Sequence, residues 1–384
     1  MIPYGRQTID DGDIAAVVEA LRSDWLTQGP LVENFETALA NKCGAKHAIA
    51  VANGTVALHL ACVAAGLRPG DEGITSSLTF VASANCMLYC GATPVFVDIC
   101  GANWNIDPKK IEAAITPRTK VIIPVHFAGL PCDMREIRRI ARTHNLTIIE
   151  DACHALGGNY DGNPIGSSGA SDMVCLSFHP VKHITTGEGG AILTQDDSTA
   201  VCLRKLRHHG ITKDQSQMSR NDGPWYYEVH ELGYNARITD IQCALGISQL
   251  SRLESFVASR NRIARYYIDA LLGIPGVFFQ RGYDDRTNAY HLFVVHFDPS
   301  RISRGEMFDE LRRGGVAPQV HYVPVHSQPL MQKRGRVCGA MTQTDQYYAG
   351  CLSLPMYPSL LPEQQDTVID IVRTVVGRSI RGKL

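Results

Sequence analysis

The stretch SFHPVKHITTGEGG, residues 177–190, constrains the architecture of this chain more than any other segment. It places Lys182 in a loop between two apolar runs, 173–178 and 191–193. Upstream, the apolar run 146–149 ends in the acidic pair Glu150-Asp151. Short apolar runs bounded by glycine and polar residues are typical of buried strands. The sequence therefore predicts one strand that ends at the acids and another that ends just before the lysine.

A strand-end acid followed by a loop lysine is the arrangement that a pyridoxal phosphate (PLP) enzyme requires. The lysine forms a Schiff base with the cofactor aldehyde, and the acid keeps the pyridine nitrogen protonated, which makes the ring an electron sink. Glycines at 187, 189 and 190 allow the backbone to approach a ligand closely. We expect burial to lower the pKa of Lys182, so that its amine also moves protons.

Each residue taken alone has a simpler interpretation. A loop lysine is commonly a surface residue, and a strand-end acid commonly caps the helix that follows it. Adjacent side chains on a strand point to opposite faces, so only one of Glu150 and Asp151 can face the ring. We assign Asp151 as the partner of the pyridine nitrogen, although spacing alone does not decide between the two acids.

The region from residue 47 to about 195 alternates strand-like and helical patterns. Helical periodicity occurs, for example, at 56–65 and 134–143. The predicted strands are 48–52, 74–77, 94–97, 121–125, 147–150, 173–177 and 191–194. This alternation predicts an α/β fold with a large, mainly parallel sheet covered on both faces by helices. Ligands of such sheets bind at the carboxyl ends of the strands, where the acid and the lysine lie.

A different pattern follows residue 236. Residues 239–272 form a nearly unbroken helical stretch, for which we predict a bend and an exit into a smaller α+β domain. That domain is predicted to contain strands at 290–297 and 317–322 and helices at 304–314 and 362–376. The predicted division is a large PLP-binding domain over 1–250 and a small C-terminal domain over 251–384. Near the amino terminus, a helix is predicted over 9–22, with Ile14, Val17, Val18 and Leu21 on one face.

Composition excludes several classes of protein. The chain has 384 residues, a formal net charge of −1, 45% hydrophobic and 20% charged residues, which is typical of a globular protein. Nothing in this charge balance favours nucleic acid or an anionic membrane, and no run approaches a membrane span. The twelve cysteines include no C-x-x-C pair and do not cluster with histidine at metal-ligand spacing. We therefore expect free thiols, no metal, no signal peptide and a cytoplasmic location.

Two further positions are candidates for cofactor contacts. Gly54 and Thr55 open the helix that follows the first predicted strand, and a helix amino terminus suits a phosphate group. Ordinary helix capping explains the same pattern. Phe80 follows the next strand and either stacks on the cofactor ring or packs in the core.

Five segments carry a family resemblance: LTQG (26–29), ANGTVAL (52–58), EDACHALG (150–157), the stretch 177–190 and GYNARITDIQ (233–242). In these segments the chain resembles the sugar aminotransferases of the DegT/DnrJ/EryC1/StrS family, within the fold type I superfamily of aspartate aminotransferase. The resemblance covers nearly the whole chain. It implies the fold type I architecture, covalent PLP on Lys182, and a homodimer whose active sites are shared between subunits.

The resemblance also implies residue roles. Asp151 pairs with the pyridine nitrogen, His154 contacts the ring hydroxyl where many members have glutamine, and Phe80 stacks on the ring. The phosphate-binding residues are Gly54, Thr55 and Ser177, with Asn235 reaching the cofactor of the neighbouring subunit. A dehydratase branch of the family carries histidine at the Schiff-base position. Because this chain has Lys182 there, transamination is expected.

Within the family, the segments ITTGEGG (184–190), RHHGI (207–211) and QVHYVPV (319–325) resemble the 4-aminotransferases of pseudaminic acid biosynthesis. This implies L-glutamate as amino donor and a UDP-linked 4-keto-6-deoxy-L-HexNAc as acceptor. The implied substrate contacts are Tyr4, Asp24, Trp25, Leu26, Thr27, Gln319, Val320, His321 and Tyr322. The alternatives are a GDP-perosamine or UDP-bacillosamine type of 4-keto sugar, and a non-catalytic PLP-binding regulator.

Overall fold

The computed structural model describes residues 1–167 and 169–381 of the chain. Its helices are α1 (Asp11–Arg22), α2 (Pro30–Cys43), α3 (Gly54–Ala64), α4 (Ala82–Tyr89), α5 (Pro108–Ala114), α6 (Met134–His144), α7 (Asp197–Arg207), α8 (Asp240–Ser251), α9 (Leu253–Leu271), α10 (Arg304–Arg313), α11 (Pro329–Arg334), α12 (Thr342–Gly350) and α13 (Pro362–Arg381). Short 3-10 turns lie at Phe127–Gly129 and Val325–Ser327.

The strands are β1 (Ile2–Pro3), β2 (His47–Val51), β3 (Glu72–Ser76), β4 (Thr93–Val97), β5 (Thr119–Ile123), β6 (Thr147–Asp151), β7 (Asn159–Tyr160), β8 (Asn163–Pro164), β9 (Met173–Ser177), β10 (Gly190–Thr194), β11 (Ile211–Thr212), β12 (Glu228–Val229), β13 (Val277–Phe279), β14 (Arg286–Thr287), β15 (Phe293–Phe297), β16 (Val316–Ala317), β17 (Arg336–Val337) and β18 (Cys351–Leu354).

An eight-stranded central sheet dominates the structure, in the order β17-β4-β3-β5-β6-β9-β10-β2. Pairing is parallel from β17 to β9, whereas β10 runs antiparallel to both of its neighbours. The predicted α/β fold with a mainly parallel sheet is confirmed. Each of the seven strands predicted between 47 and 195 is present, with its ends displaced by at most two residues.

Helices cover both faces of this sheet. Strand β9 shows why: Val174 and Leu176 pack into one apolar cluster with α2, α6 and α8, while Met173 and Cys175 pack into another with α3, α4 and α7. Because successive strand side chains point to opposite faces, an unbroken apolar run is buried on both sides. The site is consequently carried at the carboxyl ends of β6 and β9, which lie side by side.

The C-terminal part forms a separate hydrophobic cluster. Strands β13, β15 and β18 form an antiparallel sheet in the order β13-β15-β18, and α9, α10 and α13 contribute to the same cluster. The predicted bend in 239–272 is confirmed at Arg252, where α8 ends and α9 begins. Strand β17 returns to the edge of the central sheet beside β4. The domain boundary at residue 250 stays a prediction.

One prediction fails locally. The strand predicted over 317–322 is reduced to β16, which pairs with β1, because the chain then turns to carry Tyr322 toward His154. The predicted apolar face of α1 points outward: Ile14 and Leu21 are each 55% exposed, whereas Asp13 and Ala20 are buried. Among the described residues, no helix has both the length and the apolar character needed to cross a membrane.

Candidate active site

The loop that carries Lys182 is closed by its own hydrogen bonds. The Lys182 amide donates to the carbonyl of His179 at 2.9 Å, and the Thr186 amide donates to that of Phe178 at 3.0 Å. Glycine is required where this loop enters β10, since a Cβ on Gly190 would lie 2.5 Å from the carbonyl carbon of Asn53. The loop therefore packs directly against the amino terminus of α3, which begins at Gly54.

The Lys182 side chain lies in a pocket of buried histidines. Its Nζ is 3.4 Å from Nε2 of His291, whose ring centroid is 4.2 Å from that of His154. Burial lowers the pKa of Lys182, and the positive charge of Arg260 lowers it further, against the opposing effects of Cys153 and Asp151. The predicted direction of this shift agrees with the structure, and it favours a lysine that can act as a base.

Asp151 faces the same pocket and is held from two sides. The Ser83 hydroxyl donates to its Oδ2 at 2.6 Å, and the Cys153 amide donates to its Oδ1 at 3.2 Å. Glu150 points away and contacts Nε2 of the buried His126 at 2.6 Å. The question that spacing left open is thus answered: Asp151 is the acid on the side of Lys182.

The end of β9 lies close to the amino terminus of α3. Gly54 is buried at the start of α3, where the Asn53 side chain accepts from the amide of Val56 at 2.9 Å. A Cβ on Gly54 would lie 2.8 Å from Cβ of Ser177 and 3.3 Å from Sγ of Cys153. Thr55 follows at the next position, so the predicted phosphate residues Gly54, Thr55 and Ser177 are brought together. The free amides of a helix amino terminus suit an anion at this position.

An aromatic wall closes another side of the pocket. The Tyr322 hydroxyl lies 3.2 Å from Nε2 of His154, and the Phe80 ring lies 6.1 Å from that of Tyr322. Phe80 is 54% exposed, which excludes its alternative interpretation as a core residue. Tyr4 joins the group through its ring contact of 5.1 Å with His321.

Other predicted contact residues lie apart from this group. Asp24, Trp25, Leu26 and Thr27 are exposed beside the amino end of α8, where the Asp240 amide donates to the Leu26 carbonyl at 3.1 Å. By contrast, Gln319 pairs with Ser353, whose hydroxyl lies 2.7 Å from Nδ1 of His321. Val320 packs against the same apolar cluster as Tyr4 and Tyr322. Asn235 is exposed and pairs with His208. The roles predicted for these residues stay predictions.

Sequence reasoning missed Ser83, His291 and Arg260. Ser83 lies on α4, His291 just before β15, and Arg260 on α9, far from Lys182 in the chain. Ser83 follows Phe80 by less than a helical turn, a weak signal of proximity. For His291 and Arg260, no spacing rule connects them to the lysine, because only the packing of the C-terminal part against the sheet brings them there.

The residues present fit PLP. Nδ1 of His154 is buried without a hydrogen-bond partner, as expected of a group that awaits a polar ligand. The amino terminus of α3 at Gly54 suits an anion, and Asp151 and Lys182 are an acid and an amine of the kind that the cofactor requires. Together with the sheet, these features define a PLP-dependent enzyme of fold type I, with the lysine and the acid at the carboxyl ends of neighbouring strands.

Comparison with known proteins narrows this class. The chain belongs to the DegT/DnrJ/EryC1/StrS aminotransferase family, whose model matches residues 7–373. It is 43% identical over 379 residues to the spore coat polysaccharide biosynthesis protein SpsC of Bacillus subtilis. The alignment covers 98% of this chain and 97% of SpsC. The protein is accordingly a PLP-dependent sugar aminotransferase.

Solved structures agree with this assignment. Spr1654 from Streptococcus pneumoniae in its PLP form superposes with a TM-score of 0.90 at 29% identity, covering 98% of this chain and 99% of that one. Helicobacter pylori PseC, described as an aminotransferase involved in the biosynthesis of pseudoaminic acid, gives a TM-score of 0.91 at 29% identity, with 98% and 99% coverage.

Proposed function

We propose that this enzyme transfers an amino group from L-glutamate to the C4 ketone of a nucleotide-linked sugar. The proposed acceptor is UDP-2-acetamido-2,6-dideoxy-β-L-arabino-hexos-4-ulose, and the product is the corresponding UDP-4-amino sugar of pseudaminic acid biosynthesis. The observation that carries the transamination is the buried pair of Lys182 and Asp151 at adjacent strand ends. The sugar itself rests on the resemblance to PseC along nearly the whole chain.

The cofactor, when bound, supplies an aldehyde carbon and a ring that accepts the electrons released when a carbon–hydrogen bond is broken. Proton transfer and orientation are the tasks of the chain's own residues. Lys182 Nζ, when neutral, would accept the proton from the donor carbon that bears the nitrogen and pass it to the aldehyde carbon of the cofactor, and in the second half-reaction it would move a proton from that carbon to C4 of the sugar. Ser83 and the Cys153 amide orient the Asp151 carboxylate, which would hold a proton on the pyridine nitrogen of the bound cofactor.

The test is a substrate panel with mass-spectrometric detection of the amine. Purified enzyme, PLP and L-glutamate are incubated with the L-arabino and the D-xylo epimers of the UDP-4-keto-6-deoxy-HexNAc, and with a GDP-4-keto-6-deoxy sugar. We expect amination of the L-arabino epimer alone. Amination of the D-xylo epimer or of the GDP sugar alone would overturn the proposed substrate and keep the sugar aminotransferase. The Lys182→Ala variant is the matched control and is expected to be inactive on all three.

A second substrate has specific support, because identity to SpsC, at 43%, exceeds the 29% identity to PseC. SpsC is described as acting in spore coat polysaccharide biosynthesis. A 4-keto sugar of another series, UDP-bacillosamine or GDP-perosamine type, is therefore the alternative acceptor that the same panel detects. A non-catalytic regulator would keep its visible PLP absorbance on addition of L-glutamate, whereas we expect that absorbance to be lost.

We further propose a homodimer with shared active sites. Apolar side chains are exposed on α1 and on the segment between β11 and Asn235, where Trp225 and Leu232 are 73% and 83% exposed. Exposed apolar side chains in such number favour a protein contact. Asn235 lies at the end of this segment, exposed and available to a neighbouring subunit. A second copy of the chain is the proposed partner.

A further inference from the structure

Arg260 lies on α9 and is almost completely buried, with 1% of its surface exposed. Its guanidinium donates only to backbone carbonyls. Nη1 reaches those of Tyr290 and His291 at 3.2 Å and that of Met356 at 3.0 Å. Nη2 lies at the longer distances of 3.4 and 3.5 Å from the carbonyls of Val181 and Lys182. Arg260 therefore links the Lys182 loop to the segment that carries His291.

This arginine differs from two partly buried arginines in its partners. Arg207 pairs with Glu36, and Arg252 pairs with Asp13. Within residues 1–167 and 169–381, Arg260 forms no ion pair, and its Nε is buried without a hydrogen-bond partner. Leaving a charge buried without a counter-ion is costly. Among the described residues, the positive charge therefore has carbonyl dipoles but no counter-ion, and the carbonyls of the Lys182 loop are among its partners.

The hydrogen bonds of Arg260 fix the geometry between Lys182 and His291. Tyr290, the residue before His291, has a left-handed backbone conformation with φ of 48°, which is strained for a bulky side chain. Such a conformation persists only where surrounding contacts determine it. Here Arg260 donates to the carbonyls of both Tyr290 and His291. The distance of 3.4 Å between Lys182 Nζ and His291 Nε2 follows from these fixed segments.

The protonation of His291 is consistent with a neutral lysine. Its Nδ1 is buried without a hydrogen-bond partner. A buried lone pair without a donor is tolerated better than a buried N–H without an acceptor, so the proton belongs on Nε2. An Nε2–H group can donate to Lys182 Nζ only when the amine has a free lone pair.

We propose that Arg260 is a positioning residue that holds Lys182 and His291 in register through their backbones, and that its unpaired charge adds to burial in favouring the unprotonated Lys182 amine. The inference rests on the role of Lys182 in the proposed function. It adds to that role the group that places the amine and sets its charge. Arg260 touches only backbone atoms and no group of the reacting pocket itself.

Apart from burial and Arg260, nothing else around Lys182 in the described part of the chain contributes to lowering its pKa. Asp151 and Cys153 raise the pKa of Lys182, opposite to the proposed effect. Burial lowers the pKa of each neighbouring histidine, which keeps these rings neutral near pH 7; they are His154, His179, His183, His291 and His321. Burial lowers the pKa of Arg260 to about 10, so that it stays charged at neutral pH. Arg260 is the cation that remains.

The experiment measures the protonation of Lys182 in cofactor-free protein. Trace labelling with acetic anhydride is followed by mass spectrometry from about pH 7 to about pH 11, and the half-labelling pH of each lysine is read. In the native protein, we expect the half-labelling pH of Lys182 to lie below the usual pKa of a lysine, about 10.4. Arg260→Gln keeps donors for the carbonyls and removes the charge, and should raise the half-labelling pH of Lys182 by about one unit.

Two further variants serve as controls, one that keeps the charge at position 260 and one that removes a charge elsewhere on the same helix. Arg260→Lys keeps the charge with fewer donors and should stay within about half a unit of the native value. Arg262→Gln removes an exposed charge from the same helix and should change nothing. An equal rise in Arg260→Gln and Arg260→Lys would overturn the proposal, as would no rise in either. If Arg260→Gln does not fold, the native protein still tests the proposal, because a Lys182 with the half-labelling pH of an ordinary lysine contradicts it.

This experiment needs no sugar substrate and no bound cofactor. A failure of the substrate panel therefore leaves its result unchanged. Conversely, a normal half-labelling pH for Lys182 would reject the role of Arg260 while the aminotransferase activity stands.

Discussion

Ser83 is the side chain that most directly supports the acid of the pocket. Its hydroxyl donates to Asp151 at 2.6 Å in a buried environment, and Thr79 Oγ1 lies 2.7 Å from the same hydroxyl. A hydrogen bond to a buried carboxylate contributes about 1.5–3 kcal/mol. We expect Ser83→Ala to reduce kcat by about 10- to 100-fold, measured with L-glutamate in single half-reactions.

The matched control is Ser198→Ala, which removes an exposed serine hydroxyl from α7. It should leave kcat unchanged. A Ser83→Ala variant with native kcat would show that the Cys153 amide alone suffices to orient Asp151.

Buried histidines make the protein sensitive to acid. Burial lowers the pKa of His321 to about 3 and those of His154, His183 and His291 well below their usual value. In the unfolded chain these rings titrate near about 6.5. Below that pH the unfolded state binds more protons than the folded state, so stability is complete above about pH 6.5 and is lost as the pH falls toward about 3.

We therefore expect the melting temperature of the cofactor-free protein to fall steadily between about pH 7 and about pH 5. His321→Gln should reduce the steepness of that fall, since it removes one of the rings. An unchanged melting temperature across this range would contradict the assignment of neutral, buried histidines. Thermal unfolding followed by circular dichroism measures both.

Helix α8 depends on a glycine at its crossing with α2. A Cβ on Gly246 would lie 2.8 Å from Cε2 of Phe35 and 2.9 Å from Cγ2 of Thr186. Since these neighbours belong to the core and to the Lys182 loop, they have little room to move. We expect Gly246→Ala to cost about 1–3 kcal/mol in the free energy of unfolding, measured by urea denaturation.

Gly305 provides the contrast on α10. The atom closest to its added Cβ is Ser303 Oγ, at 3.7 Å, which is ordinary contact. Gly305→Ala should therefore be neutral or stabilising by up to about 1 kcal/mol, because alanine favours helix and restricts the unfolded chain. Equal destabilisation in both variants would show that the crossing at Gly246 is not the cause.

Helix α1 presents its apolar stripe outward, and this orientation predicts a subunit contact. Ile14 and Leu21 are each 55% exposed, while α1 packs against α8 through its other face. We expect the double variant Ile14→Asp/Leu21→Asp to shift the protein from dimer to monomer in sedimentation velocity. Leu361→Asp, which alters a residue 56% exposed before α13, is the control and should leave the dimer intact.

The whole molecule is expected to form its sites from two chains. If Lys182 of one chain works with Asn235 of the other, then mixing the inactive variants Lys182→Ala and Asn235→Ala creates one intact site in each mixed dimer. Activity should recover to about a quarter of the native value after random exchange of subunits, because half of the dimers carry one of their two sites intact. Mixed samples that stay inactive would place both residues in sites made by a single chain.

Local sequence patterns were sufficient for most of the central sheet. Every strand predicted between 47 and 195 is present, because apolar runs of four or five residues between polar segments are buried on both faces of a parallel sheet. The same patterns located Lys182 and Asp151 at strand ends. They failed for 317–322, whose path is determined by the contact of Tyr322 with His154. They also left open which acid faces the lysine.

Sequence alone was enough for the α/β class, the lysine–acid pair and the family, because strand periodicity and the segment 177–190 are local properties of the chain. Tertiary structure decided which side chains surround that pair. Ser83 meets Asp151, and His291 and Arg260 meet the Lys182 loop, across long separations in the chain. The contacts of His291 and Arg260 arise when α9 and the C-terminal part pack against the end of the central sheet. Such packing depends on the shape of the whole core, and no local pattern encodes it.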